Sequence, residues 1–418
     1  MPEVPRPPRP PLAAAHPAQL AAQATLAGRA APALDGAQVL HLAATPEELL
    51  PLAWSLPSTT FHAVALDDGA GDALATGREA LGLTNLTLDG PLPARADLVV
   101  WHRGFSERTD PADALAHLAR RLPEDGLLLL GWCVLPGWHM LGMVRELLRF
   151  HVGRTPDAPP AAAARALLDL LADAMPPSGA GSWLRAVRAT VRTLDDGELA
   201  TTFLAPQHHP LHAHALHAHA AEAGLVLLGD AERREGSAAR LPDHVVDFLV
   251  DERRAHGPVV AEQHVDLLVN RAFRLTVLGR AGRPEAARPL VGLWVGTPDP
   301  AHLVGTHPAL DALRAAWPRF LPYEALPEGG SPEARLQAVL EALEADAVLV
   351  RTRPPAVGGD RVPAVVRHLA AAGLPVPDLL HVARPLSPED RVLLARGEVP
   401  PEARARLAPW LAPTEARP

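Results

Sequence analysis

The chain has 418 residues, 48% of them hydrophobic, and a formal net charge of −9 at pH 7. This length leaves room for roughly two to four globular domains with sizeable cores. The acidic balance argues against general nucleic-acid binding, and a single cysteine, Cys133, excludes an internal disulfide framework. No apolar run approaches the roughly 18 residues of a membrane-spanning helix. We therefore expect a cytoplasmic protein that binds neither nucleic acid nor a membrane.

Strands and helices alternate in the first third of the chain, after a Pro-rich arm over 1–16 that we expect to be disordered. The apolar pattern predicts strands over 38–42, 62–66, 86–88, 97–101 and 126–132, and helices over 46–55, 71–81 and 111–121. Such alternation is typical of a parallel sheet with helices on both faces, which binds its ligand at the carboxyl ends of the strands. The segment VLHLAATPEE, residues 39–48, lies at that position.

The rest of the chain is predicted to be mainly helical. Helices are expected over 137–151, 161–174, 183–191, 210–223, 242–254 and 261–270, with strands over 225–228 and 273–278 and a linker over 279–289. Two further helices, 307–317 and 332–344, precede a strand over 347–351. We divide the chain into a disordered arm (1–16), an α/β Rossmann-like domain (17–155), a mainly helical domain (156–285), a winged-helix-like module (286–385) and a tail whose composition makes its packing doubtful (386–418).

Several segments carry a resemblance to a known family. In GWCVLPGWHMLGMVRELLRFH, residues 131–151, the run Pro136, Gly137, Trp138 and His139 matches an Asn-Val-Tyr-Pro-Gly-Trp-His element. The segments DLVVWHRGFSER, FLAPQHHPLHAHALHAHAAEAGLVLLGDAE, DLLVNRAFRLTVLGR and HPALDALRAAWPRFLPYEAL agree in order and spacing. The chain resembles the class I S-adenosylmethionine methyltransferases that carry a methyltransferase regulatory domain, including the protein-lysine-methyltransferase-like members. The resemblance implies a Rossmann-like methyltransferase domain, a helical regulatory domain and a winged-helix-like C-terminal module.

The resemblance also locates the cofactor site, whose sequence is degenerate here. In the family, an acidic residue and a Gly-x-Gly-x-Gly loop follow the first strand, and an acidic residue ends the second. The matching positions in this chain are His41, Ala43, Thr45, Ala65, Asp67 and Asp89. Each added Cβ crowds the cofactor, and Glu47 and Glu48 place negative charge where its carboxylate would lie. We expect the space to be partly filled by side chains of this loop or opened by a shifted turn.

Further candidate site residues lie beyond the first loop. His102 and His139, at the predicted ends of the fourth and fifth strands, are either cleft residues that contact substrate or structural histidines that hold a loop. Trp138 is either a packing anchor or a cation-binding wall. A histidine-rich stretch contains His208, His209, His212, His214, His217 and His219. On a helix, His212 and His219 would share one face and His214 and His217 the opposite one. No Cys, Asp or Glu lies among them, so we expect no metal site.

Three functional hypotheses remain open. The first is a methyltransferase-family protein with a degenerate cofactor loop that acts as a regulatory or binding protein with a protein partner, or as a homodimer, and needs no cofactor. The second is an active S-adenosylmethionine-dependent methyltransferase that acts on protein amines such as lysine. The third, favoured least, is a DNA-associated regulator that uses its C-terminal module.

Overall fold

The computed structural model describes residues 13–231, 241–282 and 290–413. Most of the Pro-rich arm (1–12), the greater part of the predicted linker (283–289) and the last residues of the tail (414–418) lie outside the described residues. Residues Ala13–Ala15, which were expected to belong to the disordered arm, form a short 3-10 turn, and Ala14 and Ala15 are buried.

The helices are α1 (Pro17–Leu26), α2 (Pro46–Ser55), α3 (Asp68–Leu81), α4 (Pro111–Ala119), α5 (Gly137–Val152), α6 (Pro160–Ala174), α7 (Ala180–Val191), α8 (Asp196–Leu199), α9 (Ala213–Glu222), α10 (Asp243–His256), α11 (Pro258–Val269), α12 (Pro308–Ala316), α13 (Pro332–Glu344), α14 (Ala364–Ala371), α15 (Pro388–Arg396) and α16 (Arg404–Leu407). The strands are β1 (Gln38–Ala44), β2 (Thr60–Ala65), β3 (Leu86–Leu88), β4 (Leu98–Trp101), β5 (Leu127–Cys133), β6 (Leu225–Asp230), β7 (Phe273–Arg280), β8 (Trp294–Gly296), β9 (Leu321–Pro322) and β10 (Leu349–Arg351).

Seven strands form the main sheet in the order β3-β2-β1-β4-β5-β7-β6. The first five are parallel, and β7 pairs antiparallel with both β5 and β6. The five parallel strands agree closely with the predicted ones, because each is a short apolar run between helix signals. The order of β1 and β4 at the centre brings their carboxyl ends side by side, where a doubly wound sheet binds its ligand.

The sheet extends beyond the predicted α/β region. The strands β6 and β7 come from the stretch 156–285, which was expected to be mainly helical, and β7 runs beside β5 over seven residue pairs from Leu127↔Gly279 to Cys133↔Phe273. Residue 155 is therefore not a boundary of the sheet. The helices α6 to α11 form the helical part of this stretch.

Two hydrophobic layers cover the faces of the sheet, because side chains alternate between faces along each strand. Val39, Val100 and Leu129 pack with α1, α2 and α3 in one cluster, and Leu40, Val99 and Leu128 pack with α4 and α9 in the other. Helix α1 is buried from Pro17 through Ala24. Its alanines allow close approach to both the main sheet and β10, which α1 contacts.

The C-terminal residues form a small module and a packed extension. The strands β8, β9 and β10 make a three-stranded antiparallel sheet with α12 and α13 beside it; its winged-helix character stays a prediction. The tail is not loose, contrary to what its composition suggested: Leu394, Leu407 and Trp410 are buried in the same core as α2 and α3. Helix α15 packs on α14, and α14 packs on α2 and α3, so the tail covers one face of the Rossmann-like region.

Candidate functional site

The turn after β1 keeps a glycine-like backbone without a glycine. Ala43 has φ +57°, a left-handed conformation that costs an L-residue roughly 1–2 kcal/mol, and the pairing of β1 with β2 shifts register between Leu42 and Ala44. Thr45 is the N-cap residue of α2 but makes no side-chain capping bond, and Pro46 follows at the first helical position. The loop therefore has the shape that a glycine favours, while its side chains occupy the space that glycines would leave.

Three polar side chains meet directly beneath this turn. His41 from β1, Glu48 from the first turn of α2 and His102 just after β4 are all buried, with 0%, 0% and 1% of their surface exposed. The Glu48 Oε2 atom lies 3.6 Å from His41 Nε2 and 3.4 Å from His102 Nε2. The two imidazole rings meet edge to face, with centroids 5.7 Å apart. We call these three residues the His41–Glu48–His102 cluster.

The electrostatics of the cluster follow from its burial. Burial raises the pKa of Glu48, but the adjacent His102 and His41 outweigh this effect and hold the pKa at about 2. Burial lowers the pKa of His102 to about 4, against the opposing effect of Glu48. Both carboxylate oxygens and all four ring nitrogens are buried without a hydrogen-bond partner among the described residues.

Two further buried histidines come from the ends of the chain. His381 is 3% exposed, lies at φ +61° and forms an edge-to-face contact with His16 at 6.0 Å between ring centroids. Burial, opposed by Glu48 and assisted by Arg351, lowers the pKa of His381 to about 3. His16 also lines a cavity of about 320 Å³, together with Trp54, Leu56, Arg351, Arg353 and Leu379. The C-terminal extension thus supplies buried groups close to the cluster.

The other predicted cofactor positions lie apart from the cluster, at the ends of β2 and β3. Asp67 is exposed and caps α3, where its Oδ1 accepts a 2.8 Å hydrogen bond from the Ala70 amide. Ala65 is half-buried. A Cβ built on Gly71 would lie 3.5 Å from the Ala65 Cβ and 3.8 Å from Asp89 Oδ2, so the exposed Asp89 carboxylate lies near the Ala65 position. Asp89 itself has φ +48°.

The cleft candidates do not converge on one point. His102 belongs to the buried cluster, whereas His139 is exposed at the start of α5. Trp138 is 5% exposed and packs against Phe203 and His208, with its ring centroid 4.1 Å from that of His208, as a packing anchor would. Gly137 is required by packing, because a Cβ there would clash with the Arg271 carbonyl and with Ala272.

The histidine-rich stretch departs from its predicted helical arrangement. Helix α9 begins at Ala213, so His212 is an extended N-cap residue and its ring stacks on His214 at 5.3 Å. The prediction that these two rings lie on opposite faces was wrong, since a helical wheel does not apply before the first helical residue. A carboxylate does approach the stretch in three dimensions: Glu262 of α11 lies 3.7 Å from His217.

Sequence reasoning gave Glu48 only a repulsive role and missed His381 and a buried ion network. In that network Arg274 of β7 contacts Asp230 at 2.7 Å, Asp266 at 2.9 Å and Glu262 at 3.1 Å, which ties α11 to the sheet. The signal for Glu48 was its position three residues after an N-cap on the helix that follows β1. His381 gave no local signal, because only the packing of the C-terminal extension buries it.

Comparisons with known proteins agree with this architecture. Residues 195–280 match the family described as predicted methyltransferase regulatory domain, a stretch that includes β6 and β7. The structure of PKMT2 from Rickettsia typhi aligns with a TM-score of 0.72 at 18% identity over 93% of this chain and 88% of that chain. The same protein in complex with AdoHcy also gives 0.72 at 18% identity, over 94% and 88%.

A curated relative adds a match in sequence. Uncharacterized protein RP789 of Rickettsia prowazekii (strain Madrid E) is 25% identical over 282 residues, which are 64% of this chain and 50% of that protein. The chain thus spans about half the length of the curated relative that it matches. The alignment with PKMT2 shows that this chain shares its fold, and the match to the regulatory-domain family covers residues 195–280. Both findings agree with the family resemblance of the sequence.

No helix among the described residues has both the length and the apolar character needed to cross a membrane.

Proposed function

We propose that this chain is a methyltransferase-fold protein that has lost S-adenosylmethionine binding and acts as a regulatory or binding protein for a protein partner. The His41–Glu48–His102 cluster is the observation that carries this proposal. It fills the space beneath the first loop with side chains that are at most 1% exposed. The residues present do not fit the cofactor, because buried side chains stand where the family's glycines leave room for it.

The second strand supports the same proposal. The acidic residue that the family uses for the ribose hydroxyls corresponds to Ala65, which has no polar side chain. Asp67, two residues later, is engaged in capping α3. Loss of the ribose contact and closure of the loop are independent changes, and each weakens cofactor binding by itself.

An exposed apolar face supports the role of a protein partner. On α5, Met140, Met143, Leu147 and Phe150 follow one another at helical spacing and are all exposed, with 58% for Met143 and 61% for Phe150. Apolar side chains grouped in this way on a surface are typical of protein-interaction sites. The chain's net charge of −9 argues against a nucleic-acid partner.

Titration calorimetry with S-adenosylmethionine and with its demethylated product tests the proposal. We expect no binding by the wild-type chain. A variant with Thr45→Gly and Glu48→Ala removes one crowding side chain and the buried carboxylate, and we expect it to gain affinity at least tenfold. An Asp68→Ala variant, which alters an exposed acid outside the loop, is the matched control and should behave as the wild type. Micromolar binding by the wild type would overturn the proposal.

The alternative is an active methyltransferase that acts on protein amines. Two observations favour it: PKMT2 from Rickettsia typhi is described in complex with AdoHcy, and the Asp89 carboxylate lies near the Ala65 position. Under this alternative the wild type binds the cofactor and Asp89→Asn weakens binding, whereas the proposal predicts no binding by either form.

A further inference from the structure

The cluster beneath the first loop has the donor set of a metal site. Two imidazoles and one carboxylate each offer one ligand atom, and the three atoms all lie within 4.8 Å of one another. The three side chains come from β1, from the first turn of α2 and from the end of β4. Since β1 and β4 are paired neighbours, with His41 opposite Val100, one ligand lies on the sheet and a second directly follows one of its strands.

The spacing fits metal ligands better than hydrogen bonds. Charge-assisted N–H···O bonds are about 2.7–2.9 Å long, whereas Glu48 Oε2 lies 3.4 Å from His102 Nε2 and 3.6 Å from His41 Nε2. Ligand atoms at roughly 2.0–2.2 Å from a tetrahedral zinc ion are separated from one another by about 3.3–3.6 Å. The two N···O distances agree with the edges of such a tetrahedron.

The burial and the charge of Glu48 also favour a bound metal ion. A buried carboxylate without a cation or hydrogen-bond donors costs several kcal/mol, yet the Glu48 oxygens have no hydrogen-bond partner among the described residues. The nearby groups that influence Glu48 are histidines, not arginines.

We propose that His41, Glu48 and His102 bind one divalent transition-metal ion, with Zn²⁺ the best fit to the spacing. The ion would hold the start of α2 against the carboxyl ends of β1 and β4 and neutralise the buried carboxylate. The inference goes beyond the proposed function, because a metal at this position does not depend on whether the chain binds a protein partner.

The test measures metal in the full-length chain. Wild-type protein is stripped with a chelator, dialysed, and titrated with Co²⁺ and with Zn²⁺, and its metal content is then determined by mass spectrometry. We expect one ion per chain and the visible absorption of four-coordinate Co²⁺. Glu48→Gln and His102→Gln should each abolish both. The control is a His212→Gln, His214→Gln double variant, which removes the stacked surface pair and should keep the full metal content.

Each result of these titrations supports or overturns the metal site. A wild type without a bound ion, or a Glu48→Gln variant that retains it, would overturn the site. If the double variant lost the ion, the metal would be bound by surface histidines and the proposed site would be wrong. If Glu48→Gln does not fold, the Co²⁺ absorption of the wild type and of the double variant decides by itself. Cofactor calorimetry remains a separate readout, so failure of the metal site and failure of the proposed function can be told apart.

Discussion

Acid should destabilise this protein through His381. The pKa of this ring falls from 6.5 in the unfolded chain to about 3 in the folded one, chiefly through burial. Because the pKa of the folded state is the lower one, the contribution of the neutral His381 ring to stability is fully present above pH 6.5 and is lost as the pH falls toward 3. Between pH 7 and pH 5 the unfolded chain gains most of a proton that the folded chain does not bind. This difference lowers the free energy of unfolding by about 2 kcal/mol.

The variant His381→Asn isolates this contribution. Asparagine tolerates the left-handed backbone at φ +61° and does not titrate in this range. Urea unfolding at pH 7 and pH 5, with chelator present, should show that the acid-induced loss of stability in the variant is smaller than in the wild type by about 2 kcal/mol. The exposed His139→Gln is the control and should lose as much as the wild type. An unchanged pH dependence in His381→Asn would refute the reasoning.

Three further changes test the packing around the site and the sheet. Ala43→Gly should raise the free energy of unfolding by up to about 1 kcal/mol, because the backbone strain of alanine at φ +57° exceeds the extra chain entropy that glycine loses on folding. Urea unfolding measures this change, and a lower free energy of unfolding in the variant would contradict the argument. Gly131→Ala should lower the free energy of unfolding by about 3 kcal/mol, because the added Cβ would clash with the His102 carbonyl. Gly142→Ala on α5 meets open space and should raise the free energy of unfolding by about 0.5–1 kcal/mol. Equal melting temperatures for the two variants would contradict the clash. Arg274→Gln should cost about 3–5 kcal/mol because it removes the guanidinium that pairs with three carboxylates and leaves Asp230 and Asp266 with Arg271 alone. The exposed Arg254→Gln should cost under about 0.5 kcal/mol, and similar denaturation curves for both variants would show that the buried network contributes little.

The local sequence determined the parallel half of the fold. The runs around Val39, Phe61 and Val99 are short and apolar, and turn or capping residues bound them, so their strand character does not depend on distant contacts. The absence of glycines after β1 was likewise visible in the letters HLAATPEE. The letters do not say which of the two adjacent acids, Glu47 or Glu48, turns inward, and the structure shows that Glu48 is the buried one.

Tertiary structure alone decided which polar groups share the interior. His41 and Glu48 are close in sequence, but His102 joins them only because β4 pairs with β1, and such pairing over long separations is set by the whole sheet. The strands β6 and β7 appeared in sequence as isolated apolar runs in a helical region, and only their antiparallel pairing with β5 placed them in the main sheet. His16 and His381 come from opposite ends of the chain. They are buried together because α1 and the C-terminal extension cover the same face of the sheet, where the loss of apolar surface from water outweighs the preference of a single histidine for solvent.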